Sequence, residues 1–343
     1  MREIVTVGML HFRKHPQKVK KAYACAAVSK MEGIEFFYFS PGNVRFEDKS
    51  INGFIYEKGE WIQKKMMFPD VIYNPSIMKT KKGKKVYSKL KKIIPFTSHP
   101  IGNKIKVYRK IKDIPEFCSY LIPSEEIIEP QIVFDALDQY NKIVIKPLSG
   151  NKGKNVIFIE RNEDKFKLIS GVKHSTVNEE ELVSLIESHI KEKMFLVQPF
   201  ILCKTKEGLP FDFRIHVQKN GSGEWETTLI YPRIGAKAGI VSNINSGGYT
   251  GKLDNFLERE FGLDDYDIKM TLEHFALQFP KKFDDMYRSS LDELGIDIGI
   301  DKNKKLWIYE VNWRPGYSNR GFDAARNTIP YAAYVALQKM KEE

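Results

Sequence analysis

Along the chain, apolar and polar residues change places with two periods, one near two residues and one near three and a half. Residues 3–9 form a mostly apolar run that predicts a buried strand, and residues 34–39 predict a second. Between them, residues 18–31 carry apolar side chains at helical spacing. Residues 53–61 predict a hairpin around Lys58-Gly59, and residues 69–75 a short strand bracketed by prolines. Strand, helix, strand predicts a small open α/β domain ending near residue 100. Its first strand is not followed by G-x-G-x-x-G, so a dinucleotide site of the Rossmann type is not supported.

The pattern then changes. Residues 103–140 predict helical stretches broken at Ile122-Pro123. Residues 142–147 and 156–159 predict two strands around a turn-rich loop at 148–155. Asn178 reads as the cap of a helix over 179–193, and residues 195–198 as a strand closed by Pro199. Residues 212–218, 225–231, 296–300 and 306–311 predict antiparallel strands. Helices are expected over 269–279 and 284–294, with an amphipathic helix at 332–341.

A chain of 343 residues with 42% hydrophobic and 29% charged content is long enough for two or three folded domains. No apolar run is long enough to span a membrane. The apolar start is too short for a signal-peptide core and has no cleavage site, so no targeting segment is expected. Three dispersed cysteines supply neither a disulfide framework nor a zinc site, and a reducing cytoplasm is the expected compartment. The charge of +11 suggests an anionic partner. Eight lysines fall between Lys79 and Lys92, either as a solvated face or as a docking surface for an acidic partner. No zinc-finger, RNP or basic-zipper pattern points to nucleic acid.

Three constellations carry candidate chemistry. In the first, Gly150 and Gly153 in the loop at 148–155 let backbone amides approach a phosphate whose charge Lys146 can neutralise. This is not a P-loop, because G-x-x-x-x-G-K-[ST] is absent and a strand follows. In the second, Glu310 and Asn312 share one face of a strand, and Asp297 lies on the neighbouring strand of the hairpin closed at 301–304. Three hard oxygen ligands without cysteine or histidine suit Mg²⁺. The third joins Asp212-Phe213-Arg214, Arg233, Lys237 and the polar stretch 242–248, where Arg214 and Arg233 suit a transferring phosphoryl group. His216 reads as structural.

In chain order these residues are Lys104, Ile145-Lys146-Pro147, the glycine loop, 196–201, Asp212-x-Arg214, Arg233, Ser242-Asn243, Asp297 and Glu310-x-Asn312. The ordered set resembles the ATP-grasp superfamily over roughly residues 100–320. Within it, the chain is similar to the endospore-coat-associated YheC/YheD group, whose leading domain is echoed by Phe39-Ser40-Pro41, 53–61 and Pro69-Asp70-Val71. The resemblance implies an α+β/α/β protein. An ATP-grasp fold would follow a small open α/β (pre-ATP-grasp) domain at 1–100, with a lid subdomain at about 101–200 and a catalytic subdomain at about 201–343.

The resemblance also implies roles. Lys104 and Lys146 would contact ATP, and the loop with Gly150 and Gly153 would fold over its phosphates. Gln198, Phe200 and Ile201 would form the adenine segment, largely through backbone groups. Asp212 would lie near the ribose, and Ser242 and Asn243 near the nucleotide. Arg214 and Arg233 would stabilise an acyl phosphate, and Asp297, Glu310 and Asn312 would hold two Mg²⁺. The implied activity is an ATP-dependent carboxylate–amine or carboxylate–thiol ligase with unidentified carboxylate and amine substrates, for which an acidic peptide or anionic polymer is a candidate. A hydroxyl-phosphorylating kinase and a spore-coat assembly protein with a vestigial nucleotide site are the alternatives. Neither a membrane nor a specific nucleic acid is implied as partner, and a homo-oligomer is compatible with the reading.

Overall fold

The computed structural model describes residues 4–148, 155–171, 173–235, 248–316 and 320–342. Three sheets follow one another along the chain. The first holds β1 (Thr6–Leu10), β2 (Glu35–Phe39), β3 (Val44–Arg45), β4 (Ser50–Glu57), β5 (Glu60–Met67) and β6 (Val71–Tyr73), with α1 (Lys20–Met31) between β1 and β2 and α2 (Lys81–Leu90) after β6. β1 lies between β2 and β6 and pairs in parallel with both, while β3, β4 and β5 form an antiparallel extension beyond β2. All five residues of β1 are buried, as expected of a parallel strand covered on both faces. The approach is close at Gly8, where a Cβ would meet Pro69 Cγ at 2.7 Å.

α3 (Lys104–Lys112) leads to the second sheet. This part contains β7 (Glu125–Ile127), α4 (Gln131–Tyr140), β8 (Lys142–Pro147), β9 (Ile157–Asn162), β10 (Lys165–Ser170), β11 (Lys173–Val177), α5 (Glu179–Glu192) and β12 (Phe195–Pro199). The strands run antiparallel in the order β11-β10-β9-β8-β12-β7. The predicted cap of α5 is present. Asn178 Oδ1 accepts the Glu181 amide, and Glu181 Oε2 accepts the Asn178 amide, both at 2.9 Å.

The third sheet is built from β13 (Phe211–Lys219), β14 (Trp225–Ile234), β15 (Tyr249–Thr250), then, after α6 (Leu253–Phe261) and α7 (Asp265–Asp285), β16 (Glu293–Ile300) and β17 (Leu306–Asn312). Its order is β15-β14-β13-β16-β17. Phe275, Phe279 and Phe283 recur along α7 at four-residue spacing and fill the core beneath this sheet together with residues of α3. The helix expected over 284–294 does not form. α7 ends at Asp285, residues 286–292 carry no helix, and residues 293–294 open β16, whose expected part at 296–300 is strand.

The last helix, α8 (Gly321–Glu342), begins well before the expected 332. Ala325, Ile329, Ala332 and Ala336 pack with α1 against Val7, Met9 and Tyr73 of the first sheet. The opposite face of that sheet is covered from α2 and the segment after it, through Leu90, Ile94 and Phe96. Among the described residues, no helix is long and apolar enough to cross a membrane.

Candidate active site

The third sheet sets out its polar side chains by register. Asp212 stands opposite Arg233 across β13 and β14, Arg214 opposite Asp297 across β13 and β16, and Asp297 opposite Glu310 across β16 and β17. A bulge follows Asp297, where the β16–β17 register shifts. Arg214 Nε donates to Asp297 Oδ1 at 2.5 Å and Nη2 to Oδ2 at 3.3 Å. Arg233 grips Asp212 in the same two-pronged way, at 2.7 and 2.5 Å, and its Nη2 also lies 3.1 Å from Asp297 Oδ2.

This chain of pairs fixes the ionisation of its members. Burial disfavours the charged form of Asp297, but Arg214 and Arg233 outweigh it and hold the carboxyl below the ordinary carboxylate value. Burial likewise opposes the charge on Arg233, and Asp212 with Asp297 more than restores it.

The second sheet and α3 bring cations to the same strand. Lys104, the first residue of α3, lies 3.2 Å from Glu310. Lys146 on β8 donates to the Tyr309 carbonyl at 3.1 Å and to the Tyr108 hydroxyl at 3.0 Å, and Tyr108 donates to the same carbonyl at 2.6 Å. Burial pushes Lys146 down to about 8, against the opposing pull of Glu310 and Asp297. Two amino groups from different parts of the chain therefore meet at Tyr309-Glu310, where the strand ladder shifts and skips Tyr309.

The rest of the predicted set is placed less closely. Gln198 is buried on β12 and donates to Ser124 Oγ at 2.5 Å. The Phe200 ring meets Phe158 edge-on at 4.8 Å, and its amide is taken by the Lys142 carbonyl at 2.9 Å. Ile201 packs against the core of the third sheet. Gly150, Gly153, Lys237, Ser242 and Asn243 lie outside the described residues. His216 is buried 3.7 Å from Glu293, and burial lowers its pKa, which fits its structural reading.

Among the described residues, no three His, Cys, Asp or Glu side chains gather as a metal site. The expected set is two carboxylates and an amide: Asp297 and Glu310 stand in register, and Asn312 lies two residues further along β17. Each carboxylate is balanced by a cation. Such residues fit a magnesium nucleotide, because phosphates would take the lysines while the metal takes the carboxylates. Burial pushes the Cys25 and Cys203 thiols up to about 12, so neither is a thiolate nucleophile.

Sequence reasoning missed two contributors. Tyr108 stands one helical turn after Lys104, a spacing that places both on one face of α3. Arg314 follows Glu310-x-Asn312 by two residues, and its guanidinium lies 3.8 Å from the centre of the Trp313 ring.

This geometry can be set beside known proteins. The sequence profile of the YheC/D-like ATP-grasp family matches residues 93–335. The endospore coat-associated protein YheD of Bacillus subtilis (strain 168) is 25% identical over 339 residues, covering 92% of this chain and 72% of that protein. The D-alanine–D-alanine ligase of Coxiella burnetii has a similar fold, with a TM-score of 0.55 at 12% identity over 98% of this chain and 97% of its own. The ATP-grasp ligase PsnB, complexed with a minimal precursor, Mg and ADP, gives 0.54 at 10% identity over 97% and 98%.

Proposed function

We propose an ATP- and Mg²⁺-dependent ligase activity for this chain, which belongs to the YheC/D-like ATP-grasp family. The reaction joins a carboxylate to an amine or a thiol. The observation that carries this reading is the convergence of Lys104 and Lys146 on β17 beside Glu310, with Asp297 in register across the bulge. The named neighbours of this fold are ligases, and PsnB was captured with a minimal precursor, Mg and ADP, which supports a ligation that uses a magnesium nucleotide. The name of YheD supports an association with the spore coat.

In this reading the substrate carboxylate attacks the γ-phosphate of ATP, releasing ADP and leaving an acyl phosphate. The amine then displaces phosphate. Lys104 and Lys146 hold the phosphates. Asp297, Glu310 and Asn312 would hold Mg²⁺, which when bound would supply charge neutralisation to the phosphates. Arg214 and Arg233, already locked by carboxylates, offer fixed positive charge that needs no reorganisation as the transition state forms. The division near residue 100 belongs to the same proposal, with a lid part to about 200 and a catalytic part beyond.

The test uses Glu310→Gln, which removes the charge and keeps the size. We expect a melting temperature close to the parent's and ADP release reduced at least ~10-fold, the scale of a lost metal-facing charge. Hydroxylamine added to the parent should trap the acyl phosphate as a hydroxamate. Undiminished ADP release by the variant would place the metal elsewhere, and a phosphorylated hydroxyl product would make the enzyme a kinase.

A further inference from the structure

The long helix α7 carries apolar residues on two faces. Ile268, Leu272, Phe275, Phe279 and Phe283 point inward and are buried beneath the third sheet. Those five already supply the apolar stripe that holds a surface helix in place. The opposite face should then be polar, and it is not. Tyr266, Met270 and Leu277 stand on it, 67%, 47% and 41% exposed. At 3.6 residues per turn the three fall within about 40° around the helix axis, and the exposed His274 and Lys281 continue the same line. Single exposed apolar residues need no explanation, but a row of them marks a surface that meets another molecule.

The charges along this row are segregated. Asp267 stands near its start and Lys281 near its end, both exposed. Neighbouring cations are engaged within the chain, Lys269 with Asp254 at 2.7 Å and Lys282 with Glu116 at 3.2 Å. Asp267 and Lys281 have no ion pair among the described residues. Fourteen residues separate them on one helix, about 21 Å along its axis, so they cannot reach each other.

A second copy laid antiparallel brings them together. With a two-fold axis between Glu273 and His274, Met270 lies against Leu277 of the second copy. Tyr266 and Asp267 lie beside its Lys281, and His274 faces its Glu273. The symmetry makes every one of these contacts twice, which is the self-complementarity that a two-fold interface requires. Antiparallel helices crossing at about 20° stay in contact along the length of such a row.

We propose that the outer face of α7 is a self-association surface, and that the chain forms a two-fold dimer through paired, antiparallel α7 helices. The pairing leaves the candidate active site open. Phe211, Phe213 and Ile215 of β13 share the core with α7, so the alternating Asp212 and Arg214 lie on the far face of the sheet. The proposal goes beyond the ligase reading and does not rest on it.

The test is sedimentation equilibrium on the full chain from about 1 to 300 μM, the range in which an interface of less than standard size associates. We expect the parent's mass to rise from that of one chain to that of two. Met270→Glu should abolish the rise. Lys281→Glu and Asp267→Lys each place like charges together and should weaken association at least ~10-fold. The double variant Asp267→Lys/Lys281→Glu should return to within about threefold of the parent. Pairing inside one chain cannot produce that recovery, because the two residues are too far apart. All three positions are exposed, so the melting temperatures of the dilute variants should stay near the parent's; should Met270→Glu melt early, the charge reversal carries the comparison. Three results overturn the proposal: the parent stays a monomer throughout, a folded Met270→Glu associates like the parent, or the double variant associates as weakly as the single ones.

Discussion

At the scale of single residues, the site is defined by which charges are paired. Glu310 on β17 was legible from strand alternation, because alternate residues share a face and Glu310 and Asn312 break an otherwise apolar strand. Lys146 was legible from its place before a glycine loop. The pairing was not. Nothing in the spacing of Asp212 and Arg233 reveals that they face each other across two strands. Asn74 makes the same point from the other side, because neither polar atom of its buried amide has a hydrogen-bond partner among the described residues. Leaving a buried amide unsatisfied costs about 1–3 kcal/mol. Asn74→Leu, close in volume and without polar atoms, should leave stability unchanged or raise it by about 1 kcal/mol in urea denaturation. A loss of more than about 2 kcal/mol would mean that the amide is satisfied within the folded protein.

At the scale of elements, β16 shows where pattern reading fails and what that conceals. Its isoleucines at 296, 298 and 300 alternate and announce the strand, but Phe283, Tyr287, Leu291 and Leu294 fall at helical spacing just before it and suggest a helix that does not form. The misreading over 284–294 hid Asp292, which ends the turn before β16 and accepts from Thr97 and Ser98. Burial, reinforced by the neighbouring Glu293 and opposed by those two hydroxyls and Lys21, pushes Asp292 up to about 7. An aspartate whose pKa rises on folding binds more protons in the native state than in the unfolded chain between about 4 and 7. Its contribution to stability is therefore complete in acid and is lost as pH rises through that window. Asp292→Asn should flatten the fall in unfolding free energy between pH 5 and pH 7.5, read from denaturant midpoints at each pH. An unchanged slope would assign the pH dependence to other groups.

At the scale of the whole molecule, the ordered series of motifs made the fold legible, while the seating of its last element was not. The lysine run proves to be α2 and its flanks. Gly83 and Leu90 face inward, Lys79 lies 4.2 Å from the centre of the Phe12 ring, and Lys81, Lys82, Lys84 and Lys85 are exposed. Exposed charges act over about 8 Å at physiological salt. Changing those four to glutamine should raise KM for a polyanionic acceptor at low salt and leave ATP affinity unchanged. Equal KM values would leave the run a solubilising surface. For α8, amphipathic spacing announced a helix but could not say which surface it would cover, and that surface belongs to the first strands made. This has a consequence for biosynthesis. Tyr73 leaves the ribosome about 250 residues before Ala325, a delay of roughly 10–50 s at ordinary elongation rates. Throughout it the inner face of the first sheet lacks its cover, so the nascent chain is a client for chaperones until its final turns emerge, and premature termination yields a protein with an open flank.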